Sequence, residues 1–213
     1  MFIVVKRWID IILALCGLII FSPIFLILII GIKIDSRGPI LFRQKRVGKG
    51  KRYFCILKFR TMHIDTPRDR PTHLLKNPEQ YITNMGKFLR KTSLDELPQI
   101  LNILGGSMSI IGPRPCLWNQ YDLIEERDKY GANDITPGLT GWAQINGRDE
   151  LPIAIKAKYD GEYAAHMGFG FDIKCFFGTI ATMLRQDGVV EGRKEKTRKG
   201  NQRDEKSTYY GHQ

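Results

Sequence analysis

The chain has 213 residues, 43% of them hydrophobic, and a formal net charge of +11 at pH 7. That is enough apolar material for one ordinary domain with an appendage, and the charge calls for an anionic partner such as lipid headgroups, a phosphorylated substrate or nucleic acid. Four scattered cysteines without a CxxC pair speak against a disulfide framework, and four histidines without HxxxH or HExxH spacing against a zinc site.

The basic residues are unevenly placed. Residues 1–62 hold twelve Lys or Arg against two acids, Asp10 and Asp35, so cations crowd around one apolar segment, IILALCGLIIFSPIFLILIIGI (Ile11–Ile32), 22 residues without a charge. Such a run is long enough to cross a hydrocarbon core of ~30 Å as a helix. A cleaved signal would be shorter and followed by a small-residue cleavage site. A single span predicts a charge bias between its flanks. Here Lys6 and Arg7 precede the run and Lys33, Arg37, Arg43, Lys45 and Arg46 follow it, which favours both ends on the cytoplasmic side. Pro23 lacks an amide hydrogen and kinks a helix, and Ser22 can bond the carbonyl that the kink frees. The expectation is a re-entrant helix-break-helix over residues 1–36 with Ser22-Pro23 at its break. A straight span stays open as the alternative, and kinked helices also cross membranes.

Beyond it, Pro39–Val47 and Arg52–Arg60 alternate in character around GKGK, which predicts a β-hairpin. Residues 63–80, with three prolines, predict a loop. Helical spacing recurs from Tyr81 to Leu104 and stops at Gly105-Gly106; residues 117–130, 151–166 and 172–186 predict further helices. PGLTGWAQINGRD, from Pro137, predicts glycine-punctuated loop with one short strand. The last helix carries Phe171, Phe176, Phe177, Ile180, Met183 and Leu184 on one face, which fits either an interfacial helix on a bilayer or an ordinary core helix. A charged tail, 193–213, follows. The fold class expected is α+β, mostly helical: the membrane helix, a small cytosolic catalytic domain over 37–192 with a β-hairpin and interfacial amphipathic helices, and the tail.

Within this cationic chain, KTSLDELPQ (Lys91–Gln99) places Asp95 and Glu96 side by side. Ser93 and Glu96 fit a capping box, and a helix start keeps carboxylates ionised and lets a phosphate dock beside them. Adjacent helical residues point about 100° apart, so the two acids suit separate tasks, one attacking or holding a metal and the other orienting or moving protons. Candidate positive groups are Lys58 and Arg60 in LKFRTM, Arg90 in FLRKTS, Arg114 in IIGPRP and Arg148 in INGRD. Pro113 and Pro115 fix the backbone of Arg114. Arginines of this kind grip phosphate in two-pronged fashion, and a carboxylate beside them can hold Mg²⁺ with substrate phosphates or attack phosphorus.

With FSP inside the apolar run, KFRTM at Lys58–Met62, LRKTSLDELPQ at Leu89–Gln99, GGSMSIIGPRP at Gly105–Pro115 and PGLTGWAQINGR at Pro137–Arg148, the chain resembles the bacterial sugar transferases, specifically the small monotopic phosphoglycosyl transferases of the PglC type. The resemblance covers about residues 1 to 192. It implies transfer of a sugar 1-phosphate from a UDP-sugar to a polyprenol phosphate, usually undecaprenyl phosphate, with release of UMP and a requirement for Mg²⁺. It places the work on the cytoplasmic face of the bacterial inner membrane, among anionic headgroups, upstream of further glycosyltransferases and without nucleic acid. It implies Asp95 as nucleophile and metal ligand, Glu96 as its partner, and Lys58, Arg60, Arg90, Pro113, Arg114 and Arg148 around the substrate. It also implies that the chain is the minimal catalytic unit. Two other classes remain in view: a glycosyltransferase that releases UDP from a lipid-linked acceptor reaction, and a membrane-tethered basic module using Tyr53, Phe54 and Phe59 on nucleic acid.

Overall fold

A computed structural model describes residues 1–66, 77–147 and 151–185. The tail from 193, most of the 63–80 loop, and Arg148 lie outside these residues. The architecture is α+β and mostly helical, as expected. Helix α1 runs Phe2–Asp35 and is followed by strands β1 (Leu41–Val47) and β2 (Tyr53–Phe59). Helices α2 (Asn84–Thr92) and α3 (Gln99–Leu104) lead to strand β3 (Ser109–Ile111) and helix α4 (Tyr121–Asp128). Strand β4 (Gly138–Thr140) and helices α5 (Trp142–Ile145), α6 (Ile153–Ala165) and α7 (Phe169–Arg185) complete the order.

The predicted hairpin is present. β1 and β2 pair antiparallel from Leu41 opposite Phe59 to Val47 opposite Tyr53. Its connection needs the left-handed conformation at Gly50 and Lys51 (φ 61° and 60°), a region glycine enters without a steric cost. A second, parallel pair joins β3 to β4. The single helical stretch expected from Tyr81 to Leu104 is in fact three pieces. Ser93 closes α2 in the left-handed region, a 3₁₀ turn covers Leu94–Glu96, and α3 starts after Pro98.

Helix α1 is continuous through Pro23, so the break expected at Ser22-Pro23 is not a break in the secondary structure. The reason is local. Proline cannot donate to the carbonyl four residues back, which is that of Ile19. The Ser22 hydroxyl donates to that same oxygen at 2.8 Å, so the ladder loses no acceptor partner.

One stripe of α1 faces the domain and the rest is bare. Ala14 packs with Ile56, Ile100, Ile103 and Met108. Leu28 and Ile32 pack with Phe59 and Leu89. Each such fully buried aliphatic side chain contributes about 1.5–3 kcal/mol. Gly31 lies so close to α2 that a methyl group there would sit 2.7 Å from the Met85 side chain. Polar contacts bind both ends of the helix to the same domain. Arg7 donates to the carbonyls of Ile103 and Leu104 at the end of α3, and Asp10 accepts from the Ile110 amide at 3.1 Å. Lys6 pairs with Asp172 of α7 at 2.6 Å. At the other end Asp35 accepts from the Met85 amide at 2.9 Å. The opposite face leaves Ile12, Ile19, Ile20, Leu26 and Ile27 exposed.

Helix α7 repeats this arrangement. Cys175 is buried, Phe171 packs against Trp142 and Tyr163, and the Thr179 hydroxyl lies 2.7 Å from that of Thr140. Ile173, Phe176, Phe177, Ile180, Met183 and Leu184 are exposed. The apolar face seen in the sequence is therefore chiefly an outer face, which an ordinary core helix would have buried.

Candidate active site

The 3₁₀ turn between α2 and α3 sets Asp95 and Glu96 against β2. The capping box does not form. Ser93 makes no side-chain cap, because as the left-handed closing residue of α2 it leaves only its carbonyl to accept from the Glu96 amide, at 3.3 Å. The side-chain cap of α2 is Thr83, which accepts from Gly86 at 2.9 Å. The Glu96 carboxylate is engaged elsewhere. It accepts from Lys58 of β2 at 2.7 Å and from Arg114 at 2.9 Å, both at Oε1. The Lys58 ammonium also lies 3.4 Å from Asp95 Oδ2. One lysine thus bridges two neighbouring acids, and among the described residues it is the only hydrogen-bond partner of the Asp95 carboxylate.

The two carboxyl groups sit in different fields. Burial tends to raise the pKa of Glu96, but Arg114 and Lys58 outweigh it and hold the group far below the ordinary carboxylate range. Asp95 moves the other way. Its burial dominates and raises it; Glu96 adds to that, while Lys58 and Arg90 oppose it. Glu96 is a fixed anion clamped between two cations. Asp95 is the more basic carboxylate of the two, with one oxygen free of any described hydrogen bond.

Not every expected residue joins this cluster. Arg90, on α2, donates from Nε to the Thr61 hydroxyl at 2.9 Å and acts on Asp95 through its charge. Pro113 is buried directly beside Arg114. Arg60 has a different task. It is 5% exposed, and its guanidinium binds the carbonyl of Pro39 and both the carbonyl and hydroxyl of Ser36, which ties the hairpin to the end of α1. Two residues past Lys58 the chain has left the strand, so Arg60 turns to the C-terminal carbonyls of α1, where a helix end favours a cation. Ser22 and Pro23 belong to α1 and make none of the contacts of the carboxylate cluster.

Several residues that build the site were not singled out in the sequence. Arg127 of α4, 4% exposed, donates from Nε and a terminal nitrogen to Asp160 of α6, which is fully buried, at 2.8 and 2.6 Å. The same guanidinium donates to the Arg114 carbonyl at 3.0 Å. Burial pushes the Asp160 carboxyl up and Arg127 pulls against it. The glycines of the two loop motifs lock together. A methyl group on Gly112 would lie 2.5 Å from the Thr136 carbonyl, and one on Gly141 would lie 2.1 Å from the Gly112 carbonyl. GPRP is thus held backbone to backbone against PGLTG. Asn102 of α3 binds the free edge of β2, accepting from the Leu57 amide and donating to the Cys55 carbonyl, each at 2.9 Å. Only Asn102 left a signal in the sequence, as a polar residue inside the apolar run QILNIL.

Among the described residues no group of three or more His, Cys, Asp or Glu side chains gathers to hold a metal ion. Magnesium commonly takes one or two carboxylates and completes its shell with water and substrate phosphate oxygens. The Asp95–Glu96 pair, with an unengaged oxygen on Asp95, fits that mode and no all-protein cage.

An acid pair bonded by Lys58 and Arg114, with the charge of Arg90 acting on Asp95, suits the binding of phosphate groups, and α1 and α7 of the same domain leave apolar faces bare. Comparison with known proteins gives this class its family. The bacterial sugar transferase family model matches residues 1–186, and the chain belongs to that family. It is 38% identical over 192 residues to a UDP-glucose:undecaprenyl-phosphate glucose-1-phosphate transferase of Xanthomonas campestris pv. campestris, a match covering 87% of this chain and 40% of that protein. It is 35% identical to a UDP-N-acetylgalactosamine-undecaprenyl-phosphate N-acetylgalactosaminephosphotransferase of Aeromonas hydrophila, covering 87% of this chain and 45% of that protein. The chain thus spans less than half the length of these two curated relatives. An uncharacterized sugar transferase of Bacillus subtilis (strain 168) is 36% identical, with 88% of this chain and 91% of that protein covered.

Proposed function

We propose that the protein moves a sugar 1-phosphate from a UDP-sugar to undecaprenyl phosphate, giving undecaprenyl-diphospho-sugar and UMP through a covalent aspartyl phosphosugar intermediate, an acyl phosphate on Asp95. The observation that carries this reading is the unequal pair: Glu96 is pinned by Lys58 and Arg114, while Asp95 keeps an oxygen free. The relatives' names supply the acceptor and the donor class.

In the first step an Asp95 carboxylate oxygen attacks the sugar-linked phosphorus of the donor. An O–P bond forms, the bond to the bridging oxygen breaks, and UMP leaves with the electron pair. In the second step an oxygen of the lipid phosphate attacks the same phosphorus. Asp95 departs as a carboxylate, and the new diphosphate keeps the sugar. Arg114, Lys58 and Arg90 offset charge that gathers on the phosphates, and such positioning and electrostatics dominate phosphoryl transfer. Asp95, with Glu96 beside it, would hold Mg²⁺, which supplies charge neutralisation at the diphosphate when bound.

The acceptor phosphate lies at headgroup level, so Asp95 must work just above the bilayer. In this reading α1 enters and leaves the membrane on one side, and the exposed faces of α1 and α7 rest in it. The support is that both ends of α1 are tied to one domain, through Arg7 and Asp10 at the start and Asp35 at the end. A crossing helix would carry its ends to opposite surfaces ~30 Å apart. Cations flanking an interface favour anionic lipid by about 1 kcal/mol each, which suits the cytoplasmic face of a bacterial inner membrane.

The test is to incubate the full chain in membranes with a panel of UDP-sugars, doubly labelled in sugar and phosphate, and then quench. Label on the Asp95 peptide together with UMP release, both lost in Asp95→Asn, is the expected outcome. UDP as the nucleotide product, or UMP release undiminished in Asp95→Asn, would overturn the proposal.

A further inference from the structure

We infer that Asn102 is a positioning residue for the carboxylate pair: it fixes the acidic turn against β2 so that Lys58 reaches both Asp95 and Glu96. This rests on the transferase reading above and names a residue to which no role in that reaction has been given.

The sheet carrying Lys58 has two strands, so one edge of β2 faces away from β1. Edge amides and carbonyls need partners when they are buried. The Asn102 carboxamide serves the edge as a strand residue would. Its Oδ1 accepts from the Leu57 amide and its Nδ2 donates to the Cys55 carbonyl, each at 2.9 Å. The same nitrogen lies 3.3 Å from the Ser107 hydroxyl, and Asn102 is 8% exposed. Leu57 immediately precedes Lys58. Asn102 belongs to the short helix that continues the Asp95–Glu96 turn. One side chain therefore joins the element that bears the acids to the strand that bears their cation, a residue away from it. Ile100 and Ile103 flank Asn102 and pack into the apolar core, so they resist sliding of the helix but do not fix its register on the strand. Two opposed hydrogen bonds do fix it, because a shift in either direction breaks both. Only an amide offers a donor and an acceptor in this geometry.

The reacting oxygen must be held close to its productive position, and a misplacement of ~1 Å costs up to about a hundredfold in rate. Asn102→Asp keeps the shape and the acceptor but cannot donate to Cys55. Asn102→Leu keeps the volume and loses both bonds. Ile103→Val serves as a control, thinning the core of the same helix without touching the bracket.

The experiment uses the full chain in membranes or detergent, with concentrations normalised to folded protein by fluorescent-UDP binding. Expected is a fall in kcat of roughly ten- to a hundredfold for Asn102→Asp and Asn102→Leu, with KM for the UDP-sugar within about twofold of wild type, since an interaction felt in the transition state alone acts on kcat. Ile103→Val lowers the melting temperature but keeps kcat. A second readout needs no turnover: the rate of reductive methylation of Lys58, followed by mass spectrometry. It should rise several-fold in the Asn102 variants and stay unchanged in Ile103→Val. Wild-type kcat in Asn102→Asp, or Lys58 methylation no faster than in wild type, would overturn the inference. Wild type that releases no UMP while its Lys58 is protected through Asn102 would sink the transferase reading and leave the bracket standing.

Discussion

Asp160→Ala removes the partner of a guanidinium that has little other means of neutralisation. Arg127 is 4% exposed and Asp160 fully buried, and two donors of Arg127 converge on one Asp160 oxygen at 2.6 and 2.8 Å. Deleting one member of a buried pair leaves an uncompensated charge and costs about 3–5 kcal/mol. A domain of this size is stable by only about 5–15 kcal/mol, so the loss is a large share. At ~2–4 °C per kcal/mol for chains of this length, the melting temperature should fall by roughly 6–20 °C. Replacing both residues by apolar ones, Arg127→Met with Asp160→Leu, should recover most of that stability, because buried pairs barely offset their desolvation. Activity should stay low in the double variant, since Arg127 also holds the Arg114 carbonyl at 3.0 Å and Arg114 holds Glu96. Thermal unfolding in detergent measures the first effect and UMP release the second. A shift below about 2 °C in Asp160→Ala, or full activity in the double variant, would refute the reasoning.

Gly112→Ala should destabilise the chain by about 1–3 kcal/mol or more, because its methyl group would meet the Thr136 carbonyl at 2.5 Å and the Gly138 nitrogen at 2.9 Å, backbone atoms that cannot rotate away; thermal unfolding reads this, and an unchanged melting temperature counts against the backbone lock. Glu96→Gln should cost stability at pH 7 and progressively less below pH 4.5, the ordinary value of the group. The sign follows from a folded-state pKa depressed by Arg114 and Lys58: the contribution is complete above the unfolded value and is lost as pH falls toward the folded one. Melting curves of both proteins from pH 7 to pH 3.5 check it, and a gap that widens in acid contradicts it. Pro23→Ala restores an amide that can bond to Ile19 in place of the Ser22 hydroxyl, which removes the proline's bias toward a bend and should move α1 toward a true span. A cysteine at position 3, in a background free of the four native cysteines, should resist impermeant maleimide in intact cells and become labelled in Pro23→Ala. Equal labelling in both backgrounds argues against a course set by Pro23.

Some of this protein was legible in one dimension. Hydropathy marked α1, because 22 successive residues without a charge make a helix apolar on every face. Alternation around GKGK marked the β1–β2 hairpin, since strand pairing there is local and the turn chemistry lies between its partners. Asp95 and Glu96 stood out as adjacent acids in a cationic chain. Local pattern failed where the deciding partner was remote. Ser93 and Glu96 have capping-box spacing, yet Lys58 and Arg114 take the carboxylate, and Ser93 closes the preceding helix instead. Arg60 and Lys58 look alike two residues apart, but one caps α1 and the other meets the acids. Arg127 and Asp160 carry no local signature, and Asn102 only that of a polar residue in an apolar run, because each acts on backbone or charge that only packing brings near. A sequence records which groups can ionise or bury; which of them must neutralise one another is decided when folding removes water from between them.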